Sequence, residues 1–553
     1  MRSSTGRTVP ADLVLTGAAV YTADAVRSWA GAVAVRSGRI VAVGSEAEIR
    51  PFAGRRTRVL ELPGRMVVPG FQDAHVHPPM GGLYSIRCDL HGVFDRESYV
   101  RVIARYAEEH PDSDWIVGGG WSMDAFPGGT PEKAILDALV PDRPVFLKNR
   151  DGHGAWVNSQ ALAIAGVTRE TADPPDGRIE RDAGGEPTGT LQEGAMALVE
   201  LILPATTEEE WEEAVLAAQA HLHALGITAW QDAWVTPETQ RVYRALAERG
   251  QLTARVVGAL WWERDRGEEQ VEELIERREE GSVGHLRCGT VKIMQDGVME
   301  NFTAGLLEPY LDTEGRRTEN RGIGMVEAEA LKRHVTRLDR EGFQVHIHAI
   351  GDRAVREALD AFEAAQRANG LADHRHHIAH IQLIDPADIP RFRALGVVAN
   401  AQPFWAVESG YIRDLTLPFL GPERSRWLYP FASLRRAGAV LAFGSDWTVS
   451  TADPLLEMEV AVNRVRPDAR HEAPFLPEER LDLPAALAAF TIGSAYVNHL
   501  DDETGSIEPG KLADLVVLDR DLFAPDAGPI GDARVLLTLS EGEAVYADPE
   551  TGW

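Results

Sequence analysis

The segment MVVPGFQDAHVH, residues 66–77, decides the fold of this chain. It is a short apolar run that ends in two histidines, and further apolar segments follow it between residues 226 and 447. Stretches with helical periodicity separate these segments, which is typical of β-α units and a parallel sheet. With the first segment they make eight strands, the number that closes a (β/α)8 barrel, which we predict over residues 66–501. The further candidate strands are residues 226–233, 254–260, 290–297, 343–350, 377–384, 397–405 and 440–447.

Three regions of the chain do not follow this alternation of strands and helices. Residues 81–207 are rich in Gly, Pro and Asp and too long for a β-α loop, so we predict an inserted cap over the barrel mouth. Residues 1–65 and 502–553 have short β-segments separated by turns, and we predict that they pair in a small domain. Residues 208–226 and 483–499 are predicted helices. The predicted fold class is α/β, a distorted TIM (β/α)8 barrel with an inserted cap and a small β-sandwich domain formed by the N- and C-terminal segments.

The composition excludes several classes of partner. The 553 residues include 56 Lys+Arg and 85 Asp+Glu, a formal net charge of −29 at pH 7. Such a surface repels nucleic acids and anionic membranes, and no stretch approaches the roughly 20 apolar residues of a membrane span. The N-terminus lacks the apolar region of a signal peptide, and two cysteines are too few for a disulfide framework. We predict a cytoplasmic homodimer that acts on a small-molecule substrate, without nucleic-acid or membrane partners.

Polar residues fall at the predicted carboxyl ends of the strands, where barrels of this kind carry their active sites. His75 and His77 close the first strand two residues apart, so their side chains share a face. Lys292 lies inside the fourth strand, where an unmodified ammonium is costly to bury. Imidazoles and a carboxylate that converge from different strands are a good ligand set for catalytic zinc. The other candidates, on the fifth, sixth and eighth strands, are His346, His348, His380 and Asp446.

Each of these residues also has a purely structural interpretation. A single histidine in a strand is more often a hydrogen-bonded core or surface residue than a ligand. Lys292 could pair with Asp296, and Asp446 could cap the turn that follows it. The joint arrangement favours the metal hypothesis, because its members fall at the catalytic ends of different strands.

Several phrases resemble the amidohydrolase superfamily. They are GFQDAHVHP (70–78), VKIMQDG (291–297), HAIGD (348–352), HIAHIQ (377–382), GSDW (444–447) and the ending GSIEPGKLADLVVLD (505–519). Two phrases of the insert, GHGAWVNSQAL (152–162) and GRIERDAGGEPTGTLQE (177–193), are similar to the amidohydrolase family 3 branch. That branch includes N-substituted formamide deformylases and proteins like exoenzyme regulatory proteins. The resemblance covers nearly the whole chain.

The resemblance implies a site for one or two zinc ions, or for other divalent metals. His75 and His77 would bind one metal together with Asp446. A carbamate formed on Lys292 by CO₂ would bridge to a second metal and would remove the cost of burying an ammonium. The ligands implied for that second metal are His348 and His380.

The sixth strand departs from the pattern of the family. Many relatives have an Arg and a Glu before the ligand histidine, whereas this chain has His377 and Ala379 in those places. The departure leaves His380 in position and changes only its immediate neighbours.

The resemblance also implies a reaction. A metal-dependent hydrolase would cleave a non-peptide carbon–nitrogen bond, in an amide or an N-substituted formamide, with a hydroxide formed at the metal. Asp446 would take the proton from the attacking water and pass it to the leaving amine. His348 or His380 would stabilise the oxyanion. We predict that His346 and Asp296 support these residues from behind, although Asp296 could equally form a turn with the following glycine.

Aromatic residues indicate the type of substrate. Trp405 and Trp447 follow proposed strands, and Trp121 lies in a glycine-rich segment of the insert. Tryptophan is a good wall for an apolar ligand, so we predict an apolar or aromatic group on the substrate. The alternative is that the rings attach the cap to the barrel. His153 in the insert is either a substrate ligand or a loop histidine bonded to backbone.

Two other functions stay open. A deaminase or cyclic-amide hydrolase could use the same scaffold, since the same hydroxide can attack a ring carbon; such deaminases often lack the bridging lysine, so Lys292 favours an amide hydrolase. A non-catalytic scaffold protein would be expected to have lost ligands, and this chain has all six.

Overall fold

The computed structural model describes residues 9–551 and 553. The first eight residues of the predicted 1–65 segment, where a signal peptide would begin, therefore lie outside the described part. In chain order the strands are β1 (Leu13–Tyr21), β2 (Trp29–Arg36), β3 (Arg39–Gly44), β4 (Arg58–Glu61), β5 (Met66–Pro69), β6 (Phe71–Val76), β7 (Cys88–Asp89), β8 (Ile116–Trp121), β9 (Val145–Asn149), β10 (Gly154–Val157), β11 (Gly177–Arg181), β12 (Pro187–Glu193), β13 (Ile227–Val235), β14 (Arg255–Trp261), β15 (Leu286–Met294), β16 (Gln344–Ala349), β17 (His377–His380), β18 (Val398–Ala401), β19 (Leu441–Phe443), β20 (Leu515–Leu518), β21 (Val535–Ser540) and β22 (Glu543–Ala547).

Helices alternate with the strands from residue 208 onwards, as the periodicity predicts. The helices are α1 (Glu46–Ile49), α2 (Pro78–Ser85), α3 (Arg96–Glu109), α4 (Lys133–Leu139), α5 (Ser159–Ala165), α6 (Ala197–Glu200), α7 (Glu208–Ala224), α8 (Pro237–Glu248), α9 (Val271–Glu280), α10 (Ala328–Arg340), α11 (Asp352–Asn369), α12 (Ile389–Leu395), α13 (Leu417–Leu420), α14 (Pro422–Ser425), α15 (Phe431–Arg436), α16 (Pro454–Asn463), α17 (Leu483–Ala488) and α18 (Ser494–Val497). Across residues 9–551 and 553, every helix is too short or too polar to cross a lipid bilayer.

Eight parallel strands form the barrel, in the order β6-β13-β14-β15-β16-β17-β18-β19. Register shifts within β13 and β14 distort it. The first and last strands, β6 and β19, approach each other near their carboxyl ends. There the Asp446 amide donates to the His75 carbonyl at 2.7 Å and the His77 amide donates to the Trp447 carbonyl at 3.0 Å. The predicted fold class, a distorted (β/α)8 barrel with additional sheets, is confirmed.

Both ends of the chain contribute to a second sheet, ordered β22-β21-β20-β5-β1-β2-β3, with β4 also on β1. Leucines and valines from both halves of this sheet pack in one buried cluster, so the halves face each other as in a sandwich. Each such side chain contributes about 1.5–3 kcal/mol on burial. The strand β5 belongs to this sheet, and the chain passes into the barrel at Gly70, four residues beyond the predicted start at residue 66.

The insert has a sheet of its own, ordered β11-β12-β10-β9-β8-β7. Its strands run from Cys88 to Glu193, inside the predicted limits of residues 81–207. Three hydrogen bonds attach it to the barrel loop that follows β15: the Asn301 amide donates to the His153 carbonyl at 3.0 Å, the Thr303 hydroxyl donates to Glu193 at 2.7 Å, and Arg178 donates to the Asn301 carbonyl at 3.3 Å. The insert therefore lies at the carboxyl ends of the barrel strands, where β15 ends.

Candidate metal centre

Three potential ligands converge where the first and last barrel strands end. His75 lies near the end of β6, His77 comes directly after that strand, and Asp446 comes three residues after β19. One ligand atom from each lies within 4.8 Å of the others. Asp446 Oδ1 is 3.3 Å from His75 Nε2 and 3.0 Å from His77 Nε2. Neither contact has hydrogen-bond geometry, so Oδ1 is buried without a hydrogen-bond partner among the described residues.

Local sequence explains why these strands approach so closely. A side chain at Gly444 would collide with the backbone of His75, so only glycine fits there. The next residue, Ser445, donates its hydroxyl to Asp73 Oδ2 at 2.5 Å, and Asp73 Oδ1 accepts the His75 amide at 3.0 Å. Asp446 itself has a φ of 52°, a strained conformation that typically costs about 1–3 kcal/mol and is frequent at functional sites.

His348 and His380 continue this ring of imidazoles around the barrel. The ring centroids of His348 and His380 are 4.6 Å apart, and those of His380 and His75 are 4.8 Å apart. His380 Nδ1 lies 4.0 Å from Asp446 Oδ2 and also contacts Gln402 Oε1 at 3.0 Å. If Nδ1 carries the proton donated to Gln402, Nε2 is the nitrogen left for a ligand.

Lys292 is buried inside β15, with 2% of its surface exposed. Burial lowers its pKa to about 7, and the Asp446 carboxylate opposes that shift. Its charge in turn lowers the pKa values of His75 and His348, which places it within the same polar cluster. An uncharged lysine amine here avoids the desolvation cost of an ammonium.

The protonation states fit a divalent cation. Burial lowers the pKa values of His75, His348 and His380 well below the usual histidine value, so they are neutral, the form that binds metals. Burial alone would raise the pKa of Asp446, but contact with His77 and nearby positive charge hold it below its usual value. Neutral imidazoles and an ionised carboxylate with an unpartnered oxygen are a suitable donor set for zinc or a similar metal.

A second layer lies beneath the mouth of the barrel. His346 Nε2 contacts His75 Nδ1 at 2.9 Å, and His346 Nδ1 contacts Gln231 Oε1 at 2.7 Å. His377, the departure from the family pattern, also contacts Gln231 Oε1, at 3.0 Å. No role for Gln231 is predicted from the sequence, although a glutamine within an apolar strand needs a buried partner and so indicates a polar contact.

Asp296 is fully buried behind His348. It accepts the backbone amides of Gly305, Ile350 and Gly351 at 2.8–3.0 Å, and its Oδ1 lies 3.2 Å from His348 Nδ1. Burial raises its pKa to about 7, while these amides lower it. The carboxylate therefore holds two loops at the barrel mouth next to a predicted ligand.

The insert places His153 over the centre. Its ring centroid lies 5.6 Å from that of His348, and its Nδ1 contacts Glu193 Oε2 at 2.8 Å. Although burial lowers the pKa of His153, the Glu193 carboxylate raises it to about 9, so the imidazole is a cation near neutral pH. Glu193 is the other functional residue that sequence reasoning missed, and like Asp446 it has a positive φ, of 51°.

The three tryptophans predicted to contact substrate occupy different environments. Trp121 has no exposed surface, packs in the core of the insert and donates its indole N–H to the Leu147 carbonyl at 2.8 Å. The structure therefore places Trp121 inside the insert and not on a surface open to substrate. Trp405 is partly exposed and stacks on His380 at 5.1 Å. Trp447 is partly exposed and packs 4.9 Å from the ring of His221 on α7.

The chain is similar to several known proteins. A family model described as an amidohydrolase family matches residues 58–546. Protein LONG AFTER FAR-RED 3 of Arabidopsis thaliana is 34% identical over 558 residues, which cover 97% of this chain and 92% of that protein. N-substituted formamide deformylase of Arthrobacter pascens is 30% identical over 550 residues, which cover 97% of this chain and 98% of that protein.

A solved structure is also similar. It is an uncharacterized metal-dependent hydrolase from Pyrococcus furiosus, with a TM-score of 0.70 and 28% identity, and the match covers 92% of this chain and 99% of that chain. The predicted resemblance is confirmed, and so is the predicted class of enzyme, a hydrolase acting on carbon–nitrogen bonds other than peptide bonds. The chain belongs to the amidohydrolase family and is a metal-dependent hydrolase.

Proposed function

We propose that the enzyme hydrolyses an amide or an N-substituted formamide that bears an apolar or aromatic group. One observation carries the proposal: a buried oxygen of Asp446, without a hydrogen-bond partner in the described structure, faces the Nε2 atoms of His75 and His77 at 3.3 and 3.0 Å. Such an arrangement leaves lone pairs directed at one point, which suits a cation. The formamide deformylase among the relatives supports this choice of substrate class.

The proposed metal is zinc, as one or two ions, with other divalent metals as substitutes. A bound metal of this kind lowers the pKa of water and polarises a carbonyl. Lys292 takes part as a carbamate: burial favours its neutral amine, which is the form that reacts with CO₂. The anionic product suits a buried position between cations better than an ammonium does. The proposed ligands are His75, His77, Lys292, His348, His380 and Asp446.

The residues of the chain then have distinct roles in the reaction. Asp446 accepts a proton from the attacking water and returns it to the departing amine, because its carboxylate is ionised and central in the cluster. His348 or His380 donates to the oxyanion when it is not used as a ligand. His153, held by Glu193, brings positive charge from the insert to within 5.6 Å of the His348 ring. Trp405 forms an aromatic wall beside His380.

An amine-release screen tests the proposal. Purified enzyme supplied with zinc is assayed on formyl, acetyl and aryl amides, with Asp446→Asn as the inactive comparison. We expect release of amine from at least one formamide or aryl amide by the wild type and not by the variant. Absence of amine release from every substrate by zinc-loaded enzyme would refute the proposed function.

A further inference from the structure

A cavity of about 330 Å³ opens beside His77, between α2, the insert and the start of α8. We call it the side pocket. It reaches the metal centre because His77 and Asp232, at the ends of the first two barrel strands, form part of its wall. Its size lies near the lower end of small-molecule pockets, roughly 300–1,000 Å³, so it suits one small group rather than a polymer.

Most of the wall of the side pocket is apolar. It is formed by side chains from α2, the insert, α7 and the end of β13, which come together only in the folded chain. Aromatic and aliphatic surfaces of this kind favour an aromatic occupant through burial and ring stacking. The principal apolar residues are Met80, Leu83, Phe146, Leu203, Trp211 and Trp234.

The two cationic side chains of the side pocket, Arg87 and Lys148, already have partners within the protein. Lys148 Nζ lies 2.7 Å from Glu200 Oε1 and 5.3 Å from the centroid of the Trp234 ring. Arg87 donates to Thr206 at 2.8 Å. Since the Lys148 ammonium is neutralised by Glu200, a charged substituent would have to displace a partner and lose its own hydration. The pocket therefore favours an uncharged occupant.

We propose that the side pocket binds an uncharged aromatic substituent of the substrate while the scissile amide lies at the metal centre. This inference rests on the proposed function and adds to it the position and charge of the group that is recognised. A carboxylated aromatic group would meet the Lys148–Glu200 pair at the polar end of the pocket and lose its hydration there, and a methyl substituent would leave the apolar wall unfilled.

The test fills the pocket from its rim. Ala205 lines the cavity and is exposed, so Ala205→Trp adds bulk without disturbing a packed core. Leu201→Trp is the matched control, because Leu201 is 85% exposed and is not part of the cavity wall. The substrates are N-benzylformamide, N-(4-carboxybenzyl)formamide and N-methylformamide.

For Ala205→Trp we expect kcat/KM for N-benzylformamide to fall about tenfold through KM, and that for N-methylformamide to change less than about twofold. Leu201→Trp should match the wild type on all three substrates. The wild type should prefer the benzyl compound to its carboxylated analogue by about tenfold. Equal effects of Ala205→Trp on the benzyl and methyl substrates, or no effect on either, would overturn the pocket assignment.

A second variant and a binding measurement keep this inference separable from the proposed function. Met80→Ala enlarges the pocket and should shift preference from benzyl towards naphthylmethyl formamide; an unchanged preference counts against the pocket. Calorimetry of N-benzylformamide on zinc-loaded Asp446→Asn protein measures binding without turnover. If Ala205→Trp weakens this binding but the wild-type enzyme releases no amine, the proposed hydrolysis alone is refuted. If the wild-type enzyme turns over and Ala205→Trp does not weaken the binding of N-benzylformamide, the pocket assignment alone is refuted.

Discussion

His346, one layer below the barrel mouth, and His348, at the mouth, lie two residues apart on β16 and differ in their hydrogen bonding. In the lower layer both ring nitrogens of His346 are engaged, one by His75 and the other by Gln231. At the mouth, the Nδ1 of His348 lies 3.2 Å from Asp296 Oδ1 but is buried without a hydrogen-bond partner among the described residues. Residues of the same type on the same face thus differ in what they have left to bind. His346 in the lower layer therefore orients a neighbouring imidazole, whereas His348 in the upper layer, at the mouth, keeps a ring nitrogen without a hydrogen bond.

The largest effect should come from the upper layer. Asp446→Asn removes the carboxylate that moves the proton, and kcat/KM should fall roughly 10³-fold. Metal content, measured by mass spectrometry, should stay near the wild-type value because the imidazole ligands are unchanged. Asp468→Asn, at a position 78% exposed, is the control and should be fully active. Retained turnover in Asp446→Asn would remove the proton-transfer role.

A substitution in the lower layer should have an intermediate effect. His346→Gln breaks the contact that orients His75 without removing a ligand, and the affinity for zinc should fall about 10–100-fold. Competition with a chromogenic chelator measures it, with His471→Gln on the surface as the control. With zinc in excess, turnover should largely return. If turnover does not return under those conditions, His346 does more than orient a ligand.

The positions of the strands were predictable, whereas the contacts between distant segments were not. Strand-end histidines stand out in a sequence because a barrel places every strand end at one rim. Glu193 could not be assigned in this way. It meets His153 because β10 pairs with β12, and Gly154 is thereby opposite Gln192. The start of the barrel at Gly70 likewise depends on which sheet takes β5. Pro69 and Gly70 interrupt the apolar run there, but a turn signal does not tell which sheet each side joins.

The insert should make a smaller contribution to activity. Glu193→Gln removes the negative charge that keeps His153 cationic and in position, a charge-assisted hydrogen bond of about 1.5–3 kcal/mol. We expect kcat to fall about tenfold with little change in KM, since the imidazole acts near the reacting group. Glu186→Gln, in the same hairpin and 47% exposed, serves as the control. An unchanged kcat would limit His153 to packing.

The smallest effect on activity is expected at Trp121. Trp121→Phe loses a buried hydrogen bond inside the insert, which should lower stability by about 1–3 kcal/mol in thermal or urea unfolding. KM for an aryl amide should stay unchanged. Trp405→Phe, at the ring stacked on His380, should raise the same KM instead. An equal rise of KM in both variants would contradict the account that Trp405 contacts the substrate and Trp121 only packs inside the insert.

The central claim is that the upper layer holds a metal that the reaction requires. The most direct measurement is a titration of chelated enzyme with zinc, following amine release from a formamide for the wild type and for His75→Ala. The account predicts that wild-type activity rises to a plateau at one or two equivalents of zinc while His75→Ala stays at the baseline. Activity that is independent of zinc, or that returns equally in both proteins, would contradict it.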